Sequence, residues 1–185
     1  MTTVKLISTL MLCTFISLVT FASHGKTPTP TEQTGFVKEL EMFAGYLGTW
    51  ESNFAVAEGE RPVIDVTRWE RALNGKALKT IHSINNGEYG GESYIFFDHD
   101  KQALVFYYFT TANFYTQGSL EIIDDTSFAA YEDVTGNENG ITKVKSTSKL
   151  MGETISVSTS YLKNGQWTKP QTRTYVRSTK DVIFK

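Results

Sequence analysis

Beyond residue 48 the chain alternates between short β-rich segments and turn-forming pairs. The turn signals recur about a dozen residues apart, at 74–75, 86–87, 98–100, 112–113, 124–125, 139–140, 151–152 and 164–165. Many are Asn-Gly or Asp-rich pairs, which accept the backbone conformations of tight hairpin turns. The segment TISVSTSYL shows the alternation most clearly, because Ile155, Val157, Thr159 and Tyr161 share one face and serines occupy the other. This pattern predicts an antiparallel meander.

The number of strands favours a closed sheet. Counting from Trp50 to Arg177 gives about ten strands, and a flat meander of that size would leave two exposed edges, which closure removes. We therefore predict an all-β fold, an antiparallel up-and-down β-barrel of about ten strands. An interior of this size can hold a small ligand. A two-layer sandwich with a solid core is the alternative.

The run QALVFYYFTTANFYTQG, residues 102–118, places aromatic rings on both faces of a strand. Either the set Leu104, Phe106 and Tyr108 or the set Val105, Tyr107 and Phe109 faces inward. The other set faces outward and needs cover. The N-terminal helix, a partner protein or a membrane surface could supply that cover.

One short amphipathic helix is predicted before the first strand. Phe36, Leu40 and Phe43 recur at helical spacing in TEQTGFVKELEMFAGYLG. The candidate caps and stops are Thr31, Thr34, Gly45 and Gly48. Its apolar stripe is a candidate lid over the outward-facing rings.

The first residues are typical of a secretory signal peptide. Lys5 precedes the apolar run 6–21, and small or polar residues follow. The run is shorter than the roughly 20 residues of a membrane span, although a single transmembrane anchor is the alternative. We expect a signal peptide at 1–25, cleaved after Ala22 or Gly25, a linker at 26–34 and one barrel domain at 35–180. The expected location is therefore the periplasm or the extracellular medium.

Composition excludes several classes of function. The one cysteine, Cys13, lies in the apolar run, so the mature chain can form no disulfide, thiol nucleophile or thiolate metal site. Lys and Arg number 18 against 20 Asp and Glu, and they do not cluster. We therefore expect no nucleic-acid partner and no anionic membrane surface.

The first and last predicted strands carry a familiar pair of motifs. YLGTWES contains Gly48-x-Trp50, and QTRTYVRS contains the basic residues Arg173 and Arg177. This combination resembles the lipocalin and wider calycin pattern, in which the Trp closes one end of the barrel and an Arg of the final strand packs across it. The resemblance implies that Trp50 meets Arg177, with Arg173 as the other candidate. A guanidinium over an indole gains cation–π attraction.

A second resemblance covers most of the chain beyond residue 42. FAGYLGTWE, RWERALNGKALKT, GESYIFFDHDKQALV and TRTYVRS occur in that order, and the order is similar to an exported bacterial family of lipocalin-like domains of uncharacterised function. It implies the fold and no particular chemistry. Haem-binding barrels of the nitrobindin type ligate iron through a histidine near the C-terminal end, and this chain has no histidine after His99. We therefore expect no cofactor and no metal.

His82 and a set of aromatic residues are the candidate ligand contacts. If Leu78, Thr80, His82 and Ile84 share a face, His82 points into the barrel. There it could bind a ligand or act as an acid or base, or it could be a core histidine bonded to a neighbouring strand. Trp69 is expected in the core and could stack on a flat ligand. The predicted ligand-binding residues are Trp69, His82, Tyr94, Phe96, Phe106, Tyr108, Tyr115 and Tyr161. The carboxylates of Glu70, Glu92, Glu121 and Glu132 are expected on the solvated surface.

Three functions are compatible with this sequence. The favoured one is an exported barrel that binds a small apolar or amphipathic molecule. The second is an interaction module whose outer rings or helix dock a protein partner or a second copy. The third is a cofactor-free isomerase or decarboxylase, in which His82 or an inward Glu would act with a Tyr; no catalytic residue is assigned.

Overall fold

The computed structural model describes residues 35–185 with the exception of 55, 57 and 136–138. The predicted signal peptide and linker therefore lie outside the described residues. No helix in the described part of the chain combines the length and the apolar character that crossing a bilayer requires.

Strands make up most of the described chain. In chain order they are β1 (Gly48–Phe54), β2 (Val63–Ala72), β3 (Ala77–Ile84), β4 (Tyr89–Asp98), β5 (Ala103–Thr110), β6 (Tyr115–Asp124), β7 (Ser127–Asp133), β8 (Ile141–Met151), β9 (Thr154–Lys163), β10 (Gln166–Trp167) and β11 (Gln171–Arg177). A 3-10 helix, Lys38–Tyr46, precedes β1, and a 3-10 turn, Leu73–Gly75, joins β2 to β3.

The sheet closes into a ten-stranded antiparallel barrel. Strands β1 to β8 pair in sequence, β8 pairs with β9, β9 pairs with β11, and β11 returns to β1. Trp50 lies opposite Arg177 at the closing pair. The two-residue strand β10 is an extra piece that extends the β11 side of β9. The predicted all-β, up-and-down barrel of about ten strands is confirmed, and the sandwich alternative is wrong.

The predicted turn pairs end the strands. Asn74, Asn86, Asn113 and Asn164 have positive φ, as do the glycines that follow three of them. Such a backbone costs little for Gly and is tolerated by Asn, while most other residues resist it. These hairpins therefore turn where the sequence marks them, whereas the β1–β2 connection was not among the predicted turns.

The helix plugs the barrel and does not cover the outer rings. Its Leu40, Phe43 and Tyr46 are fully buried among inward-facing residues such as Trp50 and Leu78. The prediction of a lid over outward rings is therefore wrong. The reason is that the helix leads into β1 at one end of the barrel, and its stripe fills that end. We call this closed end the floor and the opposite end the mouth.

The strand pleat decides which rings face inward. Leu104, Phe106 and Tyr108 pair across the sheet with the inward positions of β4 and β6. Of the two sets left open by the sequence, this one lies inside. Phe109, on the other face, is 48% exposed.

Candidate ligand-binding interior

The floor is sealed by Trp50 and Arg177. The Trp50 side chain is fully buried, and its indole Nε1 donates a hydrogen bond to the Tyr46 carbonyl at 2.8 Å. The Arg177 guanidinium carbon lies 3.7 Å from the centre of the Trp50 ring. It also donates hydrogen bonds to the carbonyls of Gly45 and Leu47. The arginine therefore joins the end of the helix to the first and last strands of the barrel. Arg173, the other candidate, lies instead over Phe54, 3.8 Å from the ring centre.

A cluster of rings lies directly above this floor. Phe43 and Tyr46 of the helix pack against Trp69 and Phe128, with ring centres 5.2 to 6.4 Å apart. Phe43 and Phe128 meet edge to face at 5.3 Å, an arrangement that aromatic quadrupoles favour. The lower part of the interior is therefore solid and apolar.

The interior above the ring cluster is hollow. Two adjoining spaces lie there, and we call them lobe A and lobe B. Lobe A measures about 200 Å³ and its walls include Asp65, Trp69, His82, Ser148, Val157 and Tyr175. Lobe B measures about 160 Å³ and its walls include Ser93, Phe106, Tyr108, Phe128, Glu132 and Ser146.

A chain of hydrogen bonds joins the wall of lobe A to the wall of lobe B. His82 Nδ1 lies 3.0 Å from Asp65 Oδ1, and His82 Nε2 lies 2.7 Å from the Tyr108 hydroxyl. The Tyr175 hydroxyl donates to the other oxygen of Asp65 at 2.8 Å. A carboxylate can only accept, so Nδ1 carries a hydrogen, and Nε2 of a neutral ring accepts the Tyr108 proton. The hydroxyls of Tyr108 and Tyr89 are 3.2 Å apart, which extends the chain toward the mouth.

Burial keeps these tyrosines protonated. Desolvation, reinforced by Tyr89 and by the nearby carboxylates, holds the pKa of Tyr108 well above its ordinary value. Desolvation and the adjacent Asp65 do the same to the pKa of Tyr175. Both hydroxyls therefore remain donors across the physiological pH range. Asp65 is only 5% exposed, so its two hydrogen bonds offset the cost of removing a carboxylate from water.

Glu132 lies inside the barrel, contrary to the prediction that it is solvated. It stands on the inner face of β7, in line with Phe128 and Ala130, and borders lobe B. The Thr116 hydroxyl donates to its Oε1. Burial raises the pKa of Glu132, and the Thr116 hydrogen bond offsets part of that effect. The other three glutamates lie on the outer face, where Glu70 and Glu92 approach Lys79 and Glu121 accepts a hydrogen bond from Tyr131.

The structure brings four of the eight predicted ligand contacts to the lobes: Trp69, His82, Phe106 and Tyr108. His82 faces inward and is also hydrogen-bonded to Asp65 of the neighbouring strand β2. The structure therefore contains both features that the sequence suggested for this residue. Tyr161 shares the inner face with Val157 but lies nearer the mouth, outside both lobes.

The other three predicted contacts, Tyr94, Phe96 and Tyr115, are on the outer face. Tyr94 lies under the Lys79 ammonium group, 5.7 Å from its ring centre, and Phe96 stacks on Tyr107. Tyr115 is 59% exposed. The expectation that these three line the interior is wrong, because the pleat places Ile95 and Thr116 there instead.

Sequence reasoning missed several polar residues of the interior, among them Asp65, Tyr89, Thr116 and Tyr175. Asp65 could have been found, because it shares a strand face with Thr67 and Trp69 in VIDVTRWE. The strand alternation likewise places Glu132 in line with Phe128 in SFAAYED. No sequence signal indicated that Asp65 and Tyr175 meet, since they are 110 residues apart.

Depressions of about 330 to 410 Å³ occur on the outside and at the rim, but exposed side chains make up most of their walls. No group of three or more His, Cys, Asp or Glu in the described residues could hold a metal ion. The rings of Phe109, Phe114 and Tyr115 remain exposed, so the interaction-module hypothesis stays a prediction.

The fold and the site define a closed antiparallel β-barrel with a plugged floor and a polar, hollow upper interior. Thirteen protein chains with solved structures match this chain. One is the crystal structure of Rv2717c from M. tuberculosis, which is 10% identical and superposes with a TM-score of 0.55 over 77% of this chain and 99% of that one. At this identity the likeness supports the fold alone. No family model and no curated protein matches the chain, so the resemblance to exported lipocalin-like domains stays an expectation.

Proposed function

We propose that this protein is an exported binding protein that holds a small apolar or amphipathic molecule inside its barrel. The observation that carries the proposal is the hollow interior, in which apolar walls meet a few converging polar groups. Ligand sites generally combine these two features. Each lobe is smaller than the roughly 300–1,000 Å³ of a site for drug-sized molecules. The ligand is therefore small, on the scale of a single substituted ring.

The distribution of polar groups in the interior supports one orientation for such a ligand. Rings and aliphatic groups form its lower part, and the hydroxyl, imidazole and carboxyl groups lie toward the mouth. An amphipathic ligand would place its apolar part on Trp69 or Phe106 and its polar group beside His82, Tyr108 or Glu132. Export would follow from the signal peptide expected at 1–25 and would place the ligand outside the cytoplasm.

Native mass spectrometry of the gently purified protein tests the proposal, together with calorimetric titration of benzyl alcohol as a small amphipathic probe. The variant Ser146→Phe would place a ring in lobe B, whose wall includes Ser146, and should abolish binding there. Lys145→Phe, at the adjacent outward position of β8, is the matched control and should bind as the wild type does. A bare protein mass combined with no probe binding would refute an interior site, and binding that survives Ser146→Phe would exclude lobe B as that site.

A second candidate, a cofactor-free proton-transfer enzyme, is favoured by the chain from Asp65 through His82 to Tyr108. In such a reaction the Tyr108 oxygen takes a proton from a carbon beside a substrate carbonyl while its own proton moves to His82 Nε2. The C–H electron pair forms an enolate, Asp65 stabilises the imidazolium, and return of the proton to another carbon yields an isomer. No oxidant or cofactor is required.

Deuterium incorporation from D₂O into cyclohexanone, followed by NMR, tests this second candidate. His82→Gln should lower an enzymatic exchange rate by about 100- to 10,000-fold. His99→Gln, in the exposed turn after β4, should leave it unchanged. A wild-type rate equal to that of buffer would count against proton transfer from ketones of this size.

A further inference from the structure

We propose that lobe B recognises a ligand that carries a protonated amine, with Glu132 as the counter-ion. This inference rests on the proposed binding function and adds the chemical class of the ligand. It starts from a carboxyl group that the fold places inside the barrel without a cation.

Glu132 is held in place by neighbours on the two adjacent strands. Its strand β7 pairs it with Gly118 of β6 and Val144 of β8. Thr116 donates to one carboxyl oxygen. Within the described part of the chain, no Lys, Arg or His forms an ion pair with Glu132. The second carboxyl oxygen is therefore left for a group that occupies lobe B.

The other charged groups of the interior are already engaged. Asp65 has a donor on each oxygen, Tyr175 on one and His82 on the other. Arg173 lies over Phe54, and Arg177 lies over Trp50 at the floor; neither borders lobe B. Glu132 is thus the carboxyl group available to a ligand.

The titratable groups around Glu132 do not replace a cation. Tyr108 of β5 faces the same lobe and connects through His82 to Asp65. Two lysines of β8 point outward, where Lys143 pairs with Asp133 and Lys145 lies over the Tyr131 ring. Glu132 is partly buried. A carboxylate that loses hydration without gaining a cationic partner is unfavourable, and a ligand ammonium group would relieve that cost.

The remaining walls of lobe B define the rest of the ligand. Ile95, Phe106, Leu120 and Phe128 supply an apolar surface, and Ser93 and Ser146 add hydroxyl groups. A volume of about 160 Å³ admits a short alkyl chain or one ring. The predicted class is therefore a small arylalkyl or alkyl amine.

Benzylamine and benzyl alcohol form a matched pair of probes for this inference, because they differ in the group that meets Glu132. Calorimetric titration at neutral pH should give benzylamine an affinity roughly 10- to 100-fold higher, the scale of a hydrogen bond to a charged group. Glu132→Gln should remove that preference while benzyl alcohol still binds. Glu121→Gln, on the outer face, should retain it.

The pH dependence gives a second readout on the wild-type protein. Benzylamine affinity should fall as the pH is lowered and Glu132 takes up a proton, starting above the range of an ordinary carboxyl group because burial raises its pKa. Benzyl alcohol affinity should change little over the same range.

The outcomes separate this inference from the proposed function. Equal affinity for the two probes in the wild type, or a preference that survives Glu132→Gln, overturns the amine site. If benzyl alcohol still binds and Ser146→Phe still blocks it, the binding function stands without the amine. If neither probe binds, the amine site is overturned, and a bare mass in native mass spectrometry then removes the binding function as well.

Discussion

Replacing Phe43 by alanine tests whether the N-terminal helix is an integral part of the barrel. The Phe43 side chain is fully buried and contacts the rings of Tyr46, Trp69 and Phe128. Its removal would leave a cavity among residues of three different elements, because the backbone of a closed barrel cannot collapse to fill it.

The expected loss of stability is large. Truncating a buried Phe to Ala typically costs about 3–5 kcal/mol through lost transfer free energy and the cavity left behind. The edge-to-face pair with Phe128 places Phe43 in the upper part of that range. A domain of this size has a total stability of about 5–15 kcal/mol, so the variant should lose roughly a quarter of it or more.

Equilibrium unfolding in urea measures this loss as a shift in midpoint at an unchanged m-value. Phe114→Ala, which truncates a ring that is 41% exposed, is the control and should cost about 1 kcal/mol or less. A loss under about 1 kcal/mol for Phe43→Ala would mean that the helix does not seal the floor in solution. The assignment of the lower interior as a solid core would then be wrong.

Three further predictions concern charged and polar groups. Arg177→Met should lower the free energy of unfolding by about 1–2 kcal/mol and alter Trp50 fluorescence, because it removes the cation over the indole. Tyr175→Phe should cost about 1–3 kcal/mol, because it leaves an oxygen of buried Asp65 without its donor. Glu132→Gln should stabilise the protein at neutral pH. Since the folded-state pKa of Glu132 is raised, this gain should vanish as the pH falls below the unfolded value of 4.5.

Each of these variants has a control at a comparable position. Arg61→Met breaks an exposed ion pair with Glu88 and should change stability by less than about 1 kcal/mol. Tyr107→Phe removes a hydroxyl from the outer face of β5, and Glu121→Gln removes an outer carboxylate. A Glu132→Gln variant that is less stable than the wild type at neutral pH would contradict the assignment of Glu132 as a desolvated carboxyl group.

Local signals in the sequence were sufficient to predict the barrel. Turns at Asn-Gly pairs such as Asn86-Gly87 follow from backbone sterics, which act within a few residues. The turn signals indicated about how many strands the sheet contains. The cost of exposed sheet edges favoured closure of that sheet into a barrel. The predicted amphipathic stripe of the helix was also buried, although its location at the floor depended on where β1 begins.

The inward or outward orientation of the aromatic strands could not be predicted in the same way. YIFF and LVFYYF are apolar at every position, so a shift of one residue in register leaves the hydrophobic pattern unchanged. Tyr94 and Phe96 were therefore assigned to the wrong face. Where polar residues interrupt the pattern, as with Thr80 and His82 in β3, the orientation agrees with the structure.

The polar groups of the interior are difficult to explain as a contribution to stability alone. Glu132 loses hydration in the folded protein and gains one neutral hydrogen bond from Thr116, which does not offset the cost of a desolvated carboxylate. An apolar residue at this position would extend the apolar wall of lobe B at no such cost. His82 and Tyr108, in contrast, are joined in a hydrogen-bonded chain that orients both side chains toward the lobes. The unfavourable carboxyl group of Glu132 and the oriented hydroxyl of Tyr108 both border lobe B. We therefore infer that their arrangement serves a molecule that enters this lobe.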